Sequence, residues 1–141
     1  MPLTIEIVTP ERKVHTSEAD SIVLPTASGQ VDILPGHIPL TTVLEPGEII
    51  VTNGGVSEKL VVDKGFVRVL GDAVSILTEA AINEEQIDLD LVAEAEQRAK
   101  SRLEAVRTHK EIDPAELEKM EQILRFAAVQ RLIKRPGDHR R

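Results

Sequence analysis

Residues 74–100 read VSILTEAAINEEQIDLDLVAEAEQRAK, and the character of the chain changes inside them. Val74 to Leu77 belongs with a series of short β-branched runs, the mark of strands. From Asp88 onward the apolar residues recur at helical spacing. Leu89, Val92, Ala95, Ala99, Leu103 and Val106 fall on one stripe of about 120 degrees. Asp88 stands as the N-cap of a helix expected to run to about Thr108. The change falls near residue 85, so two domains are expected, 1–85 and 86–141.

Upstream of that boundary, Leu3 to Val8, Ser21 to Leu24, Val31 to Leu34, Glu48 to Thr52, Val56 to Val62, Phe66 to Leu70 and Val74 to Leu77 all read as strands. Turn residues punctuate them: Thr9-Pro10, Ser28-Gly29, Pro35-Gly36, Pro46-Gly47, Asn53-Gly54-Gly55 and Gly71-Asp72. The Asn53 to Gly55 stretch is the clearest hairpin turn. Short strands with no helix between them predict an antiparallel all-β sandwich or barrel.

Downstream, a break around His109 to Ile112 is followed by Asp113-Pro114-Ala115-Glu116: a cap, a proline at the first helical position, and an acid three residues after the cap. This second helix is expected to reach about Arg135 and to stop at Pro136-Gly137, with Leu117, Met120, Leu124 and Ala127 as its seam. Two long helices with a short link predict an antiparallel α-helical hairpin. Its seam leans on alanines, each burying far less than the roughly 1.5–3 kcal/mol of a Leu or Val. A further stripe, Phe126, Val129 and Ile133, lies almost opposite the seam. A hairpin alone cannot bury both stripes. Either the sandwich or another protein covers the surplus, or the stripe is exposed without consequence.

Composition excludes several functions. With 17 basic and 24 acidic residues the net charge is −7, a poor ligand for nucleic acid or anionic lipid. Residues 1–85 carry −8, residues 86–121 carry −4, and residues 122–141 carry +5, more than helix capping requires. An acidic protein surface is the partner this basic end suits. Phe66 and Phe126 are the only aromatic residues, so platforms for stacking bases are missing. Zero cysteines remove disulfides and thiolate metal sites. No uncharged apolar run approaches the roughly 18–20 residues of a membrane span, and the N-terminus reads as neither signal nor transit peptide. A soluble protein of the compartment in which it is made is expected.

Catalytic motifs are missing as well: no GxSxG, no Gly-rich loop ending in Lys-Ser or Lys-Thr, no HExxH. His15, His37, His109 and His139 are scattered without ligand spacing. No cofactor, no metal and no enzyme activity are expected, and a binding or mechanical role is favoured.

The most distinctive segment runs from Leu24 to Gly47, LPTASGQVDILPGHIPLTTVLEPG. It resembles the epsilon subunit of F-type ATP synthases. Val8-Thr9-Pro10-Glu11-Arg12, Val62-Asp63-Lys64-Gly65-Phe66 and Val74-Ser75-Ile76-Leu77-Thr78-Glu79-Ala80-Ala81 agree in order and spacing. The resemblance covers essentially the whole chain, since that family also places a β-sandwich before a helical hairpin.

The resemblance implies a non-catalytic rotor subunit of the central stalk, coupling proton flow to ATP synthesis. The sandwich would bind the gamma subunit and rest on the c-ring. Carried over by position, Gln30, Asp32 and His37 would meet the polar loops of the ring. The family often has an acid where Gln30 stands, so a hydrogen bond would replace a salt bridge there. Leu40, Thr42 and Leu44 would face gamma. In the family the hairpin is a switch that folds on the sandwich or extends toward the alpha and beta subunits and inhibits hydrolysis. Arg125, Arg131, Lys134 and Arg135 would then dock on an acidic segment of beta. Some relatives bind ATP through an Asp-x-x-Arg-Ala start, but Leu91 stands here in place of the arginine, which argues against nucleotide sensing. The protein would be a peripheral subunit at the cytoplasmic face of a bacterial membrane, or at the stromal face of a plastid thylakoid. It would touch the membrane only through the ring, with no nucleic acid and no second copy of itself in the complex. The alternative from another class is a free-standing small-ligand or nucleotide-binding regulator on the same scaffold.

Overall fold

The computed structural model describes residues 2–109 and 113–134. The chain divides into two compact units between Glu85 and Gln86. Ten strands build the first: β1 (Leu3–Val8), β2 (Lys13–Ala19), β3 (Ser21–Thr26), β4 (Gly29–Ile33), β5 (Leu40–Leu44), β6 (Gly47–Asn53), β7 (Val56–Val62), β8 (Gly65–Leu70), β9 (Ala73–Thr78) and β10 (Ala81–Asn83). Their spatial order is β10-β7-β6-β3-β5-β8-β9-β1-β2, with β4 paired to β3. The described pairings are antiparallel except β1 with β9. This is the expected all-β sandwich.

Strand β3 joins the two layers. Ser21 to Val23 pair with β6, Ile22 to Thr26 pair with β4, and Thr26 alone pairs with Leu44 of β5. The ladder therefore changes partners within six residues, carrying the chain from one layer to the other.

Alternation fills the space between the layers, because successive side chains of a strand point to opposite faces. Leu3, Ile5 and Ile7 of β1 point in, as do Ile22 and Leu24 of β3, Val67 and Val69 of β8, and Val74 and Ile76 of β9. β7 breaks the rule: Leu60, Val61 and Val62 are all buried, so its end is covered on both faces. The core is wholly aliphatic, and Phe66 is 62% exposed. At the β6–β7 turn, Gly54 and Gly55 take φ of 61° and 80° between the paired Asn53 and Val56. Two consecutive positive φ values make a type I′ turn, whose twist matches that of the strands.

Three strands fall outside the seven expected. β2 reads KVHTSEA, mostly polar, because it lies at the end of the strand order with one neighbour, β1. β5 is flanked by Pro39 and Pro46, which read as loop, and β10 has only three residues.

In the second unit, α1 spans Leu89–His109 and α2 spans Pro114–Ile133. Asp88 caps α1, its Oδ1 accepting the Asp90 amide at 2.9 Å. Asp113 caps α2, accepting the Ala115 amide at 3.0 Å with Pro114 in the first turn. α2 stops at Ile133, since Lys134 turns extended at φ −111°, ψ 109°. The expected continuation to Arg135 and the stop at Pro136-Gly137 lie outside the described residues.

Gly65 is the tightest point in the sandwich. A Cβ there would lie 1.9 Å from the carbonyl oxygen of Leu77 on the paired strand β9. Gly65→Ala should cost about 2–4 kcal/mol, because a backbone rather than a flexible side chain must move. Gly71 has φ +62° and open space around it, so Gly71→Ala should cost only about 1 kcal/mol. Thermal unfolding of the two variants against the parent checks the ranking; equal losses would contradict it.

Candidate docking surfaces

Strand parity decides which residues can meet a partner. In β4, Ile33 is buried while Gln30 and Asp32 point outward and are exposed. His37 follows in a turn closed by its amide donating to the Leu34 carbonyl at 3.0 Å. Its Nδ1 lies 2.7 Å from the Ile38 carbonyl oxygen, so the ring is half-buried and held against the turn. Gly36 has φ +86°, the left-handed geometry that glycine supplies without strain. Beside these polar groups Leu34 is 55% exposed and Ile38 is 74% exposed. The turn thus offers an apolar tip as well as the polar residues anticipated.

β5 requires a correction. Leu44 is fully buried in the core and presents no surface to any partner. Leu40 and Thr42 share its parity and are half-buried, whereas Thr41 and Val43 point outward. A register set by Leu44 in the core puts the expected trio on the inner side of the strand.

The outward parity exposes something composition alone does not show. Val43 pairs with Phe66, Phe66 with Leu77, and Leu77 with Val8, a row running across four neighbouring strands. Val43, Phe66 and Leu77 are exposed and Val8 is half-buried. A depression of ≈ 390 Å³ lined by Val8, Pro10, Phe66 and Leu77 lies along it. The next row, Thr41, Arg68, Ser75 and Glu6, is polar. An apolar strip with a polar rim is the anatomy of a protein interface. The period-two alternation of FVRVL and VSILT carried this signal, since Val67 and Ile76 in the core force Phe66 and Leu77 out.

The hairpin places the basic residues. α1 buries Val92, Ala99 and Val106, with Leu89, Ala95 and Leu103 half-buried, so the expected stripe is its packing face. α2 buries Ala127 and Gln130, while Leu117, Met120 and Leu124 are half-buried, as are Phe126, Val129 and Ile133 of the second stripe. Arg131 donates from Nη2 to Glu96 Oε1 at 3.2 Å, and Lys134 Nζ donates to the Ile87 carbonyl at 2.8 Å. Glu96 also faces Lys100 at 4.0 Å, the expected i,i+4 pair. Arg125 is half-buried on α2, and Arg135 lies outside the described residues. Near the loop, Arg102 donates from Nε to Glu116 Oε1. Neither Arg102 nor Glu116 stands out by pattern as a cross-helix partner, because nothing in the spacing fixes the pairing of α1 with α2.

Comparison with known proteins gives the family. A family model for the ATP synthase delta/epsilon chain beta-sandwich domain matches residues 2–84. The ATP synthase epsilon chain of Desulforamulus reducens is 36% identical over 126 residues, 89% of this chain and 96% of that one. The chain belongs to the ATP synthase epsilon chain family. The epsilon chain of Acidithiobacillus ferridurans is 34% identical over 132 residues, 94% of each chain. A chain of the Euglena gracilis mitochondrial ATP synthase OSCP/F1/c-ring structure superposes with TM-score 0.64 at 23% identity, covering 94% of this chain and 82% of that one, a likeness of fold.

As an epsilon chain the protein is an accessory subunit of the central stalk rather than a catalytic one. Among the described residues no helix is long and apolar enough to cross a membrane.

The Arg102 hydrogen bond and charge lower the pKa of Glu116 from its ordinary 4.5. A carboxyl lowered on folding adds stability that is complete above its ordinary value and is lost as pH falls through the lowered one. Arg102 is exposed and Glu116 only half-buried, so solvent screens the pair and the effect is small. Helix content followed through unfolding should show Glu116→Gln less stable than the parent at neutral pH. The two should converge below the carboxylate range; a gap independent of pH would contradict the ion pair.

Proposed function

We propose that this epsilon chain is a rotor subunit of a proton-translocating F-type ATP synthase. It couples ring rotation to ATP synthesis and restrains hydrolysis through its hairpin. The observation that carries the reading is the row Val8, Leu77, Phe66 and Val43. The sandwich spends its one aromatic residue on the surface, where burial against a partner would recover its apolar area. That row is the seat of gamma, with Thr41 rather than Thr42 the outward position for a cross-link.

Gln30 and Asp32 on β4, with the His37 turn, meet the polar loops of the c-ring, and Ile38 adds an apolar contact beside them. Through the ring the subunit stays peripheral, at the cytoplasmic face of a bacterial membrane or its plastid equivalent. Arg125, Arg131, Lys134 and Arg135 reach an acidic segment of beta when the hairpin opens. Two helices of 21 and 20 residues are each about 30 Å long, which gives the opened hairpin its reach.

Two measurements test this. Phe66→Asp should weaken binding of the full chain to gamma at least about tenfold, since it puts a charge at the centre of the strip. Unchanged binding would move gamma to another face. Complexes assembled with a chain ending at Gln86 should hydrolyse ATP faster than complexes with the full chain; equal rates would remove the inhibitory role.

A further inference from the structure

We infer that Glu96 is the catch of a charge latch holding the hairpin closed by occupying the cations needed for inhibition. This deepens the reading of the hairpin as a hydrolysis switch and rests on it. The apolar seam is thin: within the two helices the buried apolar residues are Val92, Ala99, Val106 and Ala127, with no Leu, Ile or Phe among the described residues. Polar contacts span the helices at both ends. Arg102 with Glu116 lies beside the loop, where chain connectivity already holds the helices together. Arg131 with Glu96, and Lys134 with the Ile87 carbonyl, lie toward the free end, where separation begins.

Arg131 and Lys134 are also two of the four residues proposed to dock on beta. One guanidinium cannot serve Glu96 and a distant acidic surface at once. Opening is therefore an exchange of carboxylates: the partner's acids must outcompete Glu96, which is half-buried and also faced by Lys100. The closed hairpin holds its inhibitory charges in reserve, and the balance depends on ionic strength because the pair is partly exposed.

The test uses the full chain carrying Ala93→Cys and Ala128→Cys as the only label sites, since the sequence has no cysteine. Distance distributions between labels at these exposed positions report the open fraction. Glu96→Gln should raise the open-to-closed ratio about two- to fivefold at low salt. Arg131→Gln should do the same, and the double variant should add nothing. Raising salt to about 0.5 M should open the parent and barely affect the variants. An unchanged ratio in both single variants overturns the latch. Arg131→Gln keeps the test alive if circular dichroism shows that Glu96→Gln has lost helix.

In the assembled complex, Glu96→Gln should deepen inhibition of hydrolysis, whereas Arg131→Gln should open the hairpin without deepening it. Opening of both variants with hydrolysis unchanged supports the latch and removes the hydrolysis reading, so the two fail separately.

Discussion

The sandwich depends on β3 serving two layers at once. Its first residues pair with β6, its whole length from Ile22 pairs with β4, and its last residue, Thr26, pairs with Leu44 of β5. The Thr26 hydroxyl donates to the Gly29 carbonyl at 2.6 Å and accepts the Ser28 amide, which fixes the β3–β4 turn. Once Leu44 is drawn into the core at this junction, the parity of β5 is set, and β8 and β9 follow by pairing. The exposed row from Val43 to Val8 is thus a consequence of where β3 hands the sheet over.

Polar groups tie β2 and its turn into β3 to the β6–β7 hairpin. Asp20, just after β2, accepts the Gly54 amide at 2.7 Å and donates its own amide to the Thr52 carbonyl at 2.7 Å. His15 on β2 lies 2.8 Å from the Ser17 hydroxyl and 3.5 Å from Glu58 on β7. The Asp20 bonds extend the β3–β6 ladder one residue beyond Ser21, while His15 with Glu58 joins β2 to β7, strands far apart in the pairing order. Satisfied polar contacts at such a margin select one arrangement of strands, while the Leu, Ile and Val interior supplies most of the driving force.

Much of this was legible in the sequence, and the limits have physical causes. The change at Glu85 was visible because periodicity moves from two to 3.6 residues there. The caps at Asp88 and Asp113 were visible because they are local chemistry. β2 was hidden because His15 and Ser17 stand at inward positions near a margin, so its alternation carries no hydrophobic contrast. The inward side of β5 was missed because each face mixes apolar and polar residues, Leu40, Thr42 and Leu44 on one and Thr41 and Val43 on the other, and only the long-range pairing with β8 settles the register. Gln30 and Asp32 lie exposed because Val31 and Ile33 fix the parity of β4. The cross-helix pairs Glu96–Arg131 and Arg102–Glu116 join residues 35 and 14 positions apart, and no local rule links them.

The one parallel pairing sets an order of events during synthesis. β1 leaves the ribosome well before one of its two neighbours, β9, whose residues Ala73 to Leu77 emerge about seventy residues later. Until then Leu3, Ile5 and Ile7 have only the β1–β2 hairpin to shelter them, and the layer containing β8 and β9 cannot be completed. The helical hairpin, built from contacts close in sequence, has no such wait. Between the emergence of β1 and that of β9 the nascent chain therefore carries an unfinished sandwich in which one edge of an apolar strand is unpaired, the kind of exposure that makes folding intermediates prone to aggregate.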